Sequence, residues 1–186
     1  MGSVIRALDV VLSAVGLVVG SPLLVVLWAW GWFESRSPLI RQVRIGRDQQ
    51  PFELVKFRTM RLGTADLPTH MVDANAVTPF GRFLRRSKLD ELPQLWNVLK
   101  GEMSLVGPRP CLPTQSELVA ERAALGVFAV RPGITGVAQL SGVDMSMPRR
   151  LAEVDAGMIR DLGLKLYLGC IVATALGRGW GDRVRH

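Results

Sequence analysis

The chain has 186 residues, 48% hydrophobic and 21% charged, with a mean hydropathy of +0.24, which suits one folded domain and excludes a disordered chain. Its 23 Lys and Arg against 16 Asp and Glu leave a net charge of +7, a surplus that fits lipid headgroups, nucleotide phosphates or nucleic acid and says nothing about fold. Cys111, Cys170, His70 and His186 stand far apart, so neither a disulfide framework nor a zinc cluster has its ligands. The cysteines read as small packed hydrophobes and His70 as a loop residue.

Between Asp9 and Glu34 there is no charge: Val10–Phe33 runs for 24 apolar or neutral residues, long enough for a membrane segment. A cleaved signal peptide fits poorly, because the block ends in bulky WAWGWF and its basic Arg6 is offset by Asp9. Pro22 removes a helical N–H and crowds the carbonyl of Val18, while Ser21 beside it is able to bond that carbonyl. Each half of the block, about 18 Å long at 1.5 Å per residue, falls short of a hydrocarbon core of roughly 30 Å, so a sharp bend would give a re-entrant hairpin with both ends on one face. On physics alone a kinked spanning helix is favoured, since proline is well tolerated in such helices. Trp28, Trp30 and Trp32 suit the headgroup layer.

Leu39–Ile45 and Phe52–Phe57 are β-prone runs joined by a polar loop and predict a hairpin. Seven basic residues between Ser35 and Arg61 face only Asp48 and Glu53, which makes this the cytoplasmic side by the positive-inside rule. Thr64–Val77 reads as a loop. Thr78-Pro79 starts a short helix, apolar on one side and basic on the other through Arg82, Arg85 and Arg86, suited to a lipid interface. A second helix is predicted over Leu89–Leu99, ended by Gly101 and carrying Asp90 and Glu91 at its start. Leu118–Leu125, Leu151–Ile159 and Leu166–Leu176 predict further helices, the last too short to cross a bilayer. The glycines of Arg131–Gly136 allow backbone to approach a ligand, and Arg178–His186 is a polar tail.

Asp90 and Glu91 are adjacent and diverge on a helix, so they are not an opposed acid–base pair, but they are able to share one divalent cation. The plain alternative is acidic capping of a helix start. Basic company argues for chemistry: Arg82, Arg85, Arg86 and Lys88 precede the pair, and Arg109 follows in the proline-bracketed turn Gly107-Pro108-Arg109-Pro110. Carboxylates, a hard cation and rigidly held arginines together suit phosphoryl transfer.

The strings KFRTM (Lys56–Met60), TPFGRFLRRSKLDELPQLWNVLKGEMSLVGPRP (Thr78–Pro110) and RPGITGVAQLSG (Arg131–Gly142) resemble the small monotopic phosphoglycosyl transferases, bacterial sugar transferases. The resemblance implies transfer of a sugar 1-phosphate from a UDP-sugar to a polyprenol phosphate (undecaprenyl phosphate), release of UMP, and a ping-pong route through an aspartyl-phosphosugar. It implies Asp90 as nucleophile, Glu91 as its partner in holding Mg²⁺, and Lys56, Arg85 and Arg109 near phosphate. It also makes Ser21-Pro22 the break of a re-entrant membrane helix, which reverses the preference for a spanning one, and aligns Asp155 with a site aspartate.

The match weakens toward the end of the chain, where Tyr167 stands in place of a second aspartate, twelve residues after Asp155. Val137 replaces a common aromatic residue and Cys111 a usual leucine. The expected fold is α/β in the α+β sense and mostly helical: residues 1–35 a re-entrant membrane helix, 36–186 one catalytic domain with a small β-hairpin and interfacial helices. The expected setting is the bacterial inner membrane, one leaflet deep, with the catalytic face cytoplasmic and no nucleic-acid partner. A membrane-anchored glycosyltransferase releasing UDP and a basic lipid-binding module are the alternatives.

Overall fold

The computed structural model describes residues 2–64 and 74–179. The middle of the expected 64–77 loop, with His70, and the tail beyond Gly179 lie outside them. In chain order the elements are α1 (Gly2–Ser35), β1 (Leu39–Ile45), β2 (Pro51–Phe57), α2 (Pro79–Ser87), a 3₁₀ turn at Leu89–Glu91, α3 (Gln94–Lys100), β3 (Ser104–Val106), α4 (Ser116–Ala124), β4 (Gly133–Thr135), α5 (Val137–Leu140), α6 (Pro148–Arg160) and α7 (Leu164–Ala175).

The apolar block is helical throughout, with Pro22 inside α1. Proline leaves the carbonyl of Val18 without its N–H partner, and Ser21 replaces it, its Oγ donating to Val18 O at 2.8 Å. Around this point α1 is bare: Val18 and Val19 are each 74% exposed. On either side of it the helix rests on the remainder of the chain. Toward the C-terminal end Leu27 packs with Phe57, Phe80 and Leu84, and Trp30 stacks on Phe80 at 5.1 Å.

Toward the N-terminal end the fastening is polar. Asp9 is buried, and its Oδ1 accepts from the Ser104 hydroxyl at 2.9 Å, the Leu105 N–H at 2.8 Å and the Tyr167 hydroxyl at 2.8 Å. A lone carboxylate would be costly here, but three donors offset its lost hydration. Burial first, then the bond to Asp9 and its negative charge, push the Tyr167 phenol well above its usual range, so it stays a donor. Arg6 donates Nη1 to Val98 O at 2.8 Å and Nη2 to Leu99 O at 3.2 Å, satisfying carbonyls at the C-terminal end of α3.

The hairpin forms as expected, antiparallel with Leu39 opposite Phe57 and Ile45 opposite Pro51. Two strands alone are marginal in stability. Asn97 of α3, fully buried, acts where a third strand would: its Oδ1 accepts from Val55 N–H at 3.0 Å and its Nδ2 donates to Glu53 O at 2.7 Å. The sequence did not disclose a second sheet, in which β3 and β4 pair in parallel with Ser104 beside Gly133 and Val106 beside Thr135. The helix expected over Leu89–Leu99 is divided, because Pro93 has no N–H to continue the α-helical ladder; Leu92 N–H instead bonds Leu89 O in 3₁₀ fashion at 3.3 Å.

Tyr167→Phe is expected to cost about 2 kcal/mol, one hydrogen bond to a charged acceptor. Asp9→Ala is expected to cost more, since it strands three donors. Urea unfolding in detergent micelles measures both, and equal losses would contradict the central role given to Asp9.

Candidate active site

Thr78 caps α2 by accepting from Gly81 N–H at 2.9 Å, and Pro79 begins the helix. Phe80 and Leu84 bury one face and leave Arg82 and Arg86 in solvent. Gly81 lets α2 press on the KFRTM segment, since a Cβ there would lie 2.0 Å from Thr59 O. That closeness lets buried Thr59 accept from Arg85 Nε at 2.9 Å. Arg85 Nη1 is itself buried without a hydrogen-bond partner, so a guanidinium is oriented and one of its donors awaits an acceptor.

α2 ends at Lys88, whose φ of 58° lies in the left-handed region. The chain then turns through Leu89–Glu91, so both candidate carboxylates sit on a 3₁₀ turn between two helices and not at the start of a long one. Asp90 and Glu91 are both half-buried. β2 packs against this turn, and Lys56 lies on the face of β2 that carries Phe52 and Leu54.

Arg109 reaches the turn from the other side, its Nη2 donating to Glu91 Oε1 at 2.8 Å. The segment bearing it cannot brace itself, because Pro108 and Pro110 have no N–H. Gly107 N–H bonds Thr135 O at 2.9 Å and Gly133 N–H bonds Pro108 O at 2.9 Å. A Cβ on Gly133 would stand 2.0 Å from Gly107 N. The loop glycines expected to admit a ligand, Gly133 and Gly136, thus admit the neighbouring backbone, as Gly107 does from the other side.

Asp155 meets Arg122 and not the Asp90-Glu91 turn directly. It is fully buried on α6, where its Oδ2 accepts from Arg122 Nε at 3.0 Å and Nη2 at 2.6 Å. Burial raises its carboxyl above the usual range and Arg122 pulls it back. Ser21 and Pro22 lie in the exposed middle of α1, and the Ser21 hydroxyl bonds locally. The structure therefore joins Arg109 to Glu91, packs α2 with Arg85 and β2 with Lys56 against the turn that holds Asp90 and Glu91, sets Asp155 behind Arg109 through Arg122, and leaves Ser21 and Pro22 in the middle of α1. Thr59, Asn97 and Arg122 went unread: the first two stand inside quoted motifs with no local sign of their partners, and Arg122 looks like any helix-surface arginine. Burial raises the Cys170 thiol, in keeping with an inert packed residue.

Among the described residues no three His, Cys, Asp or Glu side chains gather as a metal cage. Mg²⁺ does not require one, being held by one or two carboxylates with substrate phosphates and water, and the hard oxygens of Asp90 and Glu91 suit it. Beside the turn, a mostly apolar groove of about 530 Å³ runs between α1, the hairpin and α3, lined by Leu17, Leu24, Trp28, Phe57, Pro93 and Trp96 with Arg41, Glu53 and Lys100.

A model of the bacterial sugar transferase family matches residues 2–178. The chain is 40% identical over 142 residues to a UDP-glucose:undecaprenyl-phosphate glucose-1-phosphate transferase of Klebsiella pneumoniae, covering 74% of this chain and 30% of the relative. It is 38% identical over 162 residues to a protein of the same name from Caulobacter vibrioides, covering 81% and 61%. An undecaprenyl-phosphate galactose phosphotransferase of Salmonella typhimurium is 34% identical over 154 residues, covering 74% and 32%. The chain thus spans less than two thirds of the length of these relatives.

Gly133→Ala is expected to cost about 3 kcal/mol or more, because backbone on both sides must separate. Gly20→Ala, whose added Cβ meets nothing within 4 Å, is expected to be neutral or to stabilise α1 by up to about 1 kcal/mol. Chemical denaturation of the two variants in micelles checks the contrast.

Proposed function

Matched over residues 2–178, the chain belongs to the bacterial sugar transferase family, and on that premise we propose that it transfers a sugar 1-phosphate from a UDP-sugar to a polyprenol phosphate, releasing UMP. The observation that carries this is the turn at Asp90-Glu91 flanked by two braced arginines, one on Glu91 at 2.8 Å and one with a buried donor lacking a partner. The names of the relatives support undecaprenyl phosphate as acceptor and a hexose donor.

In the proposed reaction Arg85 and Arg109 bind the diphosphate of the donor and orient it. A carboxylate oxygen of Asp90 attacks the phosphorus that bears the sugar; the bond from that phosphorus to the bridging oxygen breaks, and UMP leaves with its electron pair. Asp90 then carries the phosphosugar as an acyl phosphate. An oxygen of the polyprenol phosphate attacks the same phosphorus, forming the diphosphosugar and returning Asp90 as carboxylate. Asp90 and Glu91 would hold Mg²⁺, which would supply positive charge to offset the crowded phosphates. Lys56 adds to the positive field of the site.

The membrane part of the proposal rests on α1. Its exposed apolar middle and its two fastened ends support a re-entrant helix in one leaflet, with residues 36–186 as the catalytic domain on the cytoplasmic face of the inner membrane. Such an enzyme meets a soluble donor and a lipid phosphate at one surface, and the groove beside Pro93 suits the isoprenoid chain of the acceptor. This would be the first membrane step of glycoconjugate or exopolysaccharide assembly.

Purified protein in nanodiscs with polyprenol phosphate and Mg²⁺ is expected to release UMP from UDP-glucose or UDP-galactose, to stop on chelation, and to lose about four orders of magnitude of rate in Asp90→Asn. Release of UDP would select a glycosyltransferase that retains the phosphate in the nucleotide. Single cysteines at Ser3 and Ser37, in a chain with Cys111 and Cys170 replaced by alanine, are expected to stay unlabelled by an impermeant maleimide in spheroplasts and to label together on permeabilisation. Labelling of one from outside would restore the spanning helix.

A further inference from the structure

We propose that Arg122 is a positioning residue for the transfer, held in place by Asp155 and acting through the main chain of Arg109. The role rests on the reaction proposed above. Each carbonyl of the Pro108–Pro110 turn is held by a donor from outside it: Pro108 O by Gly133 N–H at 2.9 Å, Arg109 O by Arg122 Nη1 at 2.7 Å, and Pro110 O by Arg44 Nη1 at 3.3 Å. The middle bond carries the residue that grips Glu91. Arg122 is 1% exposed, and its two remaining polar edges are spent on Asp155 Oδ2, so its third donor has one direction to point.

A buried ion pair contributes little net stability compared with apolar residues of the same volume, because both charges lose their hydration. Packing alone gives no reason to bury an arginine and an aspartate between α4 and α6. Geometry does: the fork of a guanidinium fixes the Arg109 carbonyl relative to α6, and the Arg109 side chain carries that placement to Glu91. Asp155 touches no reacting group in this arrangement; its carboxylate sets the orientation of Arg122.

The test separates placement from stability by comparing full-length wild type, Arg122→Met, Arg122→Lys and the double variant Arg122→Met/Asp155→Leu in nanodiscs. Rates with the UDP-sugar, half-saturating Mg²⁺ and melting temperature are measured for each. Arg122→Met is expected to melt lower and to lose about a hundredfold in kcat/KM, the order expected when a supporting partner is removed and the group it supports shifts. The double variant leaves no unpaired buried charge, so its melting temperature is expected to recover while kcat/KM stays about a hundredfold down and half-saturating Mg²⁺ stays raised. Recovery of rate together with melting temperature would reduce the pair to a stability element and overturn the proposal. Arg122→Lys keeps the charges balanced but cannot serve both partners with one point donor; wild-type kcat/KM in that folded variant would overturn it as well. A wild type without turnover overturns the transfer reading and this role with it, whereas a working wild type beside a working double variant overturns this role alone.

Discussion

The contact between the Gly107–Pro110 turn and the Gly133–Gly136 loop is the constraint from which the site takes its shape. β3 and β4 have three residues each and could not hold two loops together by ladder bonds alone. The loops meet because neither carries a side chain where their backbones touch, and a methyl group at Gly133 would overlap Gly107 N at 2.0 Å. With the backbone fixed, Arg109 starts from a known direction. A free arginine side chain loses about 2 kcal/mol of rotamer entropy when immobilised, and a rigid base limits the further loss needed to place its charge.

α1 meets a related demand with polar groups at the end of an apolar helix. Asp9 and Arg6 are the charges before the apolar block, and both are used on the body: one collects three donors, the other donates to the last carbonyls of α3. Fastening by hydrogen bonds is directional, which fixes the rotation of α1 as well as its position. That rotation turns Leu24 and Leu27 inward toward Phe57 and leaves Val18 and Val19 bare. Apolar contact alone would leave the rotation of so uniformly hydrophobic a helix weakly determined.

Features written in adjacent residues were legible. The Thr78-Pro79 start of α2, the two β-prone runs of the hairpin and the Ser21 rescue of Val18 O all depend on neighbours within a few positions. The Arg109–Glu91 pair joins two residues that the motif strings singled out. What escaped depends on partners far along the chain: Asn97 completing β2, Asp9 meeting Tyr167, Arg122 reaching the Arg109 carbonyl. The Gly133 loop was misread for the same reason, since glycine announces a close approach but not whether ligand or backbone makes it. Asp155 was legible as a position, but its partner Arg122, 33 residues away, was not.

The division of Leu89–Leu99 into a 3₁₀ turn and α3 has a chemical consequence. Successive side chains on a 3₁₀ turn diverge by about 120°, slightly more than on an α-helix. Glu91 is therefore able to meet Arg109 while Asp90, one residue earlier, is presented in another direction. Lys88 in its left-handed conformation and Pro93 bound the turn, and both are local restrictions that a longer regular helix would not tolerate. A left-handed non-glycine residue costs roughly 1 kcal/mol, a modest strain for ending α2 and starting the turn at once. Had the helix run unbroken, the pair would have followed its axis and become ordinary acidic residues of a first turn. Broken where it is, the segment turns Glu91 toward a fixed cationic partner, Arg109, at 2.8 Å.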